Sequence, residues 1–264
     1  MNKIVRFAAF ACVALPGYSY GQQSLQFSAG IDVNYKHLSS NFISVVPAAG
    51  PIPLQKLEES VKANIWTVNV NPAIAWRGLF LAAAFERTLG EATTRVDVTT
   101  TFANGTGGHS TTTGTVRREE NSVTLGYDLW KGVTPFVGYF QNRTDLYTAN
   151  YTQDFYYREY GPYYGFGYSH GFEGGGRLGM SFAYARANGT VTSRPGQETA
   201  SSMSGTLTGT SIGISWNAPI SSTVSYRIGY KATRYKFKLP GTQFGDLDAA
   251  EDYDALYLGL VKYF

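Results

Sequence analysis

From Leu25 onward the chain alternates. Leu25, Phe27, Ala29, Ile31, Val33 and Tyr35 share one parity, and Ser28, Gly30, Asp32, Asn34 and Lys36 share the other. This predicts a strand over about residues 24–37 with one apolar and one polar face. The same two-residue period returns with Trp66, Val68, Val70, Pro72, Ile74 and Trp76, then with Leu79, Leu81, Ala83 and Phe85, and then with Val123, Leu125, Tyr127 and Leu129. Phe136, Gly138 and Phe140 continue it with Gln141, Arg143 and Asp145 on the opposite parity. Tyr164 to Tyr168, Leu178 to Tyr184, Ile212 to Trp216, Val224 to Tyr230 and Leu256 to Phe264 complete the series. Pro72 lacks a ladder donor, so a bulge or local irregularity is expected there.

Connections between these segments alternate in length. Tight turns fall near residues 77, 131, 174 and 219, and long polar stretches near 50, 103, 150, 196 and 245. An apolar face on every strand, with short turns at one end and long loops at the other, predicts an all-β fold. It is a transmembrane antiparallel up-and-down β-barrel of about ten strands, with eight or twelve as alternatives. Trp66 and Trp76 stand about 33 Å apart along a strand, which a tilt of about 35 to 45° reduces to the height between two interfacial aromatic girdles. In hydrocarbon only closure satisfies every backbone donor and acceptor of a sheet.

The N-terminus places Lys3 and Arg6 before an apolar run from Phe7 to Leu15, then Pro16-Gly17 and the small residues Ser19 and Gly21. This predicts a secretory leader over residues 1–21, with the barrel domain at 22–264. Cys12 is the one cysteine, so the mature chain is expected to contain no disulfide. Removing Lys3 and Arg6 leaves 20 basic residues against 19 acidic, a balance that gives no support to nucleic-acid binding. With 20 tyrosines, 16 phenylalanines and 30 glycines, the composition suits a barrel rather than helical spans.

The closing stretch ALYLGLVKYF sets Leu256, Leu258, Leu260 and Phe264 on one parity and ends on the aromatic residue. It resembles the C-terminal assembly signal of Gram-negative outer-membrane β-barrel proteins, from which it departs at Lys262. That resemblance implies residence in the outer membrane among lipid and lipopolysaccharide. It also implies recognition of Phe264 by the barrel assembly machinery.

Inward parity collects Asp32, Lys36, Glu86, Asp128, Arg143, Asp145, Arg177, Arg227 and Lys231. In so narrow a lumen these charges must pair or stay wet. They form either a stiffening internal network or the lining of a narrow conduit for small polar solutes. Asp32 is expected to meet Arg227 or Lys231 across the final strand. A second group, Asp246, Asp248, Glu251, Asp252 and Asp254, offers hard oxygen ligands for a cation in a predicted loop, without the spacing of a known calcium loop. His37, His109 and His170 stand in no metal or triad spacing. About ten strands with exposed loops also resembles the omptin surface proteases, but no motif of theirs, nor of the lipid A deacylases, occurs. The chain therefore reads as a non-enzymatic narrow pore or structural surface barrel without cofactor. A membrane-embedded hydrolase, omptin-like or lipid A-modifying, is the alternative.

Overall fold

Among the residues described by a computed structural model, 25–46, 55–130, 132–148, 153–173, 175–195, 201–242 and 245–264, alternation becomes eleven strands. They are β1 (Gln26–Val46), β2 (Gln55–Trp76), β3 (Leu79–Thr88), β4 (Ala92–Phe102), β5 (Gly107–Tyr127), β6 (Val133–Thr148), β7 (Gln153–Gly171), β8 (Arg177–Pro195), β9 (Ser201–Pro219), β10 (Val224–Thr242) and β11 (Gly245–Tyr263). The predicted leader, residues 1–21, lies outside the described residues.

Each strand pairs antiparallel with its neighbours, and β1 pairs with both β2 and β11, so the sheet closes. β3 and β4 share one place in it. β2 pairs with β3 through 67–76 and with β4 through 55–62, and β5 likewise spans both. The break falls at Leu89-Gly90-Glu91, where the Leu89 N–H donates to the Trp66 carbonyl at 2.8 Å and Gly90 takes φ 74°. Eleven strands thus make ten staves, the number the alternation predicted.

Between β2 and β3 the ladder skips Asn71 and Pro72 and resumes in the same register, a gap rather than a bulge. Pro72 has no N–H to donate, so that rung is missing.

Most strands run 19 to 22 residues. About 9 to 11 tilted residues cross the hydrocarbon. The remainder stands beyond the membrane on the side of the long connections. Much of what reads in sequence as loop, around 39–60, 88–117 and 187–205, is therefore the upper half of a stave. The reason lies in the pattern itself. Within the bilayer the apolar parity faces lipid, as Tyr226, Ile228 and Tyr230 do on β10. Above it the outer face meets water, and the apolar parity turns inward as Tyr235, Phe237 and Leu239. The same exchange separates Trp66 from Ile65, Ala63 and Val61 on β2, and Leu256 from Tyr253 and Ala249 on β11.

β6 corrects the predicted facing. Phe136 and Phe140 are buried in the lumen, while Val137 and Tyr139 face outward with Gln141. Gly138 and Gly165 account for it. The Tyr163 ring lies where a Cβ of Gly138 would stand, and the Phe136 ring where one of Gly165 would. The lumen at this level is packed with aromatic rings laid over glycines, not with water.

Candidate functional site: a filled lumen

Two tiers of charge occupy the lumen. In the lower tier Arg227 Nη2 donates to Asp32, whose Oδ2 also accepts from Asn71 Nδ2 at 2.7 Å. β11 separates the strands carrying this pair, and Gly259 on it leaves the space the Asp32 carboxylate fills. Arg227 lies over the Tyr257 ring, 5.6 Å from its centroid.

Above it, Lys36 bridges Glu86 and Glu120, the latter at 2.7 Å. Thr67 donates to Glu86 at 2.5 Å and receives a hydrogen bond from Asn34 at 3.0 Å. Arg118 joins this group to the far wall, contacting Glu120 at 2.6 Å, Glu251 at 2.7 Å and Glu159 at 3.7 Å. Glu159 accepts from Asn142 at 2.6 Å. Tyr253 lies among the cations, with Arg118, Lys36 and Lys231 at 4.9, 5.1 and 5.8 Å from its ring centroid. These side chains are almost wholly shielded from solvent, Arg118 and Glu159 completely so. Buried charges of this kind persist only when paired and hydrogen-bonded.

A roof covers the upper tier. One inward position further from the tight turns, Lys36 gives way to Leu38, Arg118 to Val116, Thr144 to Leu146, Glu159 to Tyr157 and Glu251 to Ala249. Val61, Val96, Leu207 and Phe237 complete an apolar layer. The Phe237 ring meets Tyr157 edge-on at 5.6 Å. A layer of buried apolar side chains thus lies between the charges and the long connections.

Of the inward charges expected from sequence, Asp32, Lys36, Glu86, Arg227 and Lys231 are buried in this lumen. Asp128 and Arg177 are half-buried on the inward parity at the turn end, where the guanidinium acts electrostatically on the carboxyl. Arg143 and Asp145 do not belong to it. They pair with each other at 2.7 Å on the outer wall, because β6 faces the other way. The expected cation-binding loop is corrected as well. Residues 246–254 lie on β11, whose alternation sends Glu251 inward to Arg118 and leaves Asp248, Asp252 and Asp254 exposed. Asp254 accepts from the Tyr230 hydroxyl at 2.7 Å. The side chain of Asp246 lies outside the described part, and among the described residues no acidic or histidine cluster fits a metal ion.

Arg118, Glu120, Glu159 and Glu251 are the members of the network that periodicity missed. Each lies close to the level where the apolar parity changes face. A polar residue flanked two positions away by an inward aliphatic one, as Arg118 is by Val116, is the available signal.

No family model matches this chain, and no curated protein does. Among solved structures it is similar to the outer membrane protease OmpT from Escherichia coli, with a TM-score of 0.67 and 13% identity over 93% of this chain and 100% of that one. It is also similar to the outer membrane protein AlkL, at a TM-score of 0.40 and 13% identity over 95% of each chain. OprG from Pseudomonas aeruginosa matches at 0.40 and 10% identity, over 93% of this chain and 98% of that one. At such identities the likeness to OmpT is one of fold. A closed sheet of ten staves, fastened beyond β11 by the Phe264 N–H on the Phe27 carbonyl at 3.0 Å, and an apolar belt facing outward together make this an outer-membrane β-barrel protein.

Proposed function

We propose that this protein is a sealed, non-enzymatic barrel, exported by its N-terminal leader and inserted by the assembly machinery through Phe264. It holds a rigid extracellular extension of its own wall above the outer membrane. The observation that carries this reading is the filled lumen: paired charges from Asp32 to Glu251 under a layer containing Val61, Val116 and Phe237. A narrow conduit for polar solutes needs a continuous wet path, and hydrocarbon packing against charge argues against one. The roof also stiffens the projecting staves, which suits them to present a surface to partners. Purified mature protein in planar bilayers is expected to give no steady conductance. A persistent open channel, with selectivity that changes on Arg118→Gln, would return the conduit reading.

A second reading, a surface hydrolase, draws on a cavity of about 320 Å³ in the upper wall, lined by Glu58, Glu59, Asp97, Asp248 and His109 among others. Carboxylates and an imidazole outside the membrane are the ingredients of general acid–base chemistry. Asp97 is already engaged by Thr111 at 2.8 Å and Arg95 at 3.2 Å, and His109 by Thr99 at 3.3 Å, which favours the first reading. Cleavage of a fluorogenic peptide panel by wild type, abolished in both Asp97→Asn and His109→Ala, would establish the second.

A further inference from the structure

The lipid-facing bands of β8, β9 and β10 end at one boundary. On β8 the outward series Met180, Phe182, Tyr184 passes to Arg186. On β10 Tyr226, Ile228, Tyr230 and Ala232 pass to Arg234, Lys236 and Lys238, and on β9, running the other way, Thr208 and Thr210 precede Ile212 and Ile214. Register joins these changes into one patch. Thr208 pairs with Arg186 on one side and Lys236 on the other, while Thr210 pairs with Tyr184 and Arg234. Arg186 and Lys236 thus flank a threonine with their backbones two strand spacings apart, roughly 10 Å, and Arg234 follows on the next outward position below Lys236.

All three cations are exposed, as are Thr208 and Thr210. Among the described residues none of the three takes part in an ion pair, unlike Arg87, Arg117 and Arg143 elsewhere on the outer wall. The nearest carboxylates, Asp252 opposite Arg234 and Asp248 opposite Lys238, stand on β11 at the edge of the patch.

Cations at the boundary between an apolar belt and water face the headgroup layer of the outer leaflet, where guanidinium groups and hydroxyls match phosphate oxygens. We propose that the outer wall of β8–β10 binds the phosphate groups of an anionic outer-leaflet lipid, lipopolysaccharide in a Gram-negative membrane, through Arg186, Arg234 and Lys236 with Thr208 and Thr210 between them. The acyl chains then lie on Phe182, Ile212 and Ile228 below. This binding is independent of whether the lumen conducts.

The test uses the full mature barrel refolded in neutral detergent, with thermal unfolding followed as lipopolysaccharide is titrated in. Wild type should gain stability, and Arg186→Gln/Arg234→Gln/Lys236→Gln should weaken the apparent affinity by about a hundredfold, since each cation near such a surface contributes about a fivefold factor. The triple variant should melt like wild type without lipid. A control removing charge elsewhere, Lys62→Gln/Arg95→Gln, should keep wild-type affinity. Dephosphorylated lipopolysaccharide should bind wild type no better than the triple variant. If inorganic phosphate at millimolar concentration reproduces the gain, the site takes free phosphate and the lipid assignment falls. Equal affinities for wild type and triple variant, or undiminished binding of the dephosphorylated lipid, would overturn the proposal.

Discussion

Asp32 is 3% exposed, and its carboxylate accepts from both Arg227 and Asn71. Arg227→Ala leaves that carboxylate buried without its cation, so a loss of about 3 to 5 kcal/mol is expected in urea titrations of protein folded into vesicles. Asp32→Leu/Arg227→Met, which removes both charges and refills the space, should recover most of it. A double variant as unstable as the single one would mean that shape, not charge, governs this site. Glu59 behaves in the opposite sense. It lies seven residues beyond Trp66 on β2, roughly 20 Å further along the strand and outside the membrane. Burial pushes its carboxyl from the ordinary 4.5 up to about 8. The folded protein therefore holds a proton that the unfolded chain releases over that interval. Stability is full below the lower value and falls as pH rises through the upper one. Thermal unfolding at about pH 6 and about pH 9 should show wild type losing stability that Glu59→Gln keeps. Parallel losses in the two proteins would assign the effect to other groups.

At the scale of the strand, facing and depth decide what a cation costs. Leu258→Arg on β11 and Val137→Arg on β6 put a guanidinium on the lipid face near the middle of the belt and should each cost about 2 to 4 kcal/mol. Gln141→Arg, on the same face of β6 at the outer edge, should cost about 0 to 1 kcal/mol. Urea titration in vesicles measures all three; a cost at Gln141 equal to that at Val137 would extend the belt past Gln141, and the absence of a cost at Val137 would reverse the facing of β6. That strand also marks the limit of what alternation can say. Leu256, Leu258 and Leu260 stand opposite Tyr257, Gly259 and Val261, and glycine with tyrosine on the inner face leaves the outer one clear. On β6, Phe136 and Phe140 compete with Val137 and Tyr139, so both parities look apolar, and the partners that decide the matter, the Tyr163 ring over Gly138 and Gly165 beneath the Phe136 ring, belong to β7. The upper halves of the staves were illegible for a related reason. Where solvent outside changes from lipid to water, the apolar parity changes face, and a two-residue period that shifts by one reads as a period that has ended. Arg118, Glu120, Glu159 and Glu251 stand close to that change of face and were lost with the pattern there. Asp32, Lys36, Glu86, Arg227 and Lys231, on the lower halves, were legible.

For the whole molecule, the sealed lumen we propose, with ion pairs below and hydrocarbon above, makes the barrel solid, and the outer wall becomes the surface through which it meets its surroundings. One detail of that solidity bears on time. β1 and β10 do not pair: β11 lies between them, and Asp32 reaches Arg227 by passing over Gly259, where any β-carbon would collide with the carboxylate. The contact therefore cannot exist until the final strand has been laid into the gap, and until then both charges keep their hydration. The pair is a clasp that fastens only after the seam is joined, and it contributes nothing to recruiting the strands it eventually locks. Its whole effect falls on the reverse process, since reopening the seam must first strip a buried carboxylate of its guanidinium. A barrel built this way assembles at a rate set by its strands, and the pair on either side of the last of them slows only its coming apart.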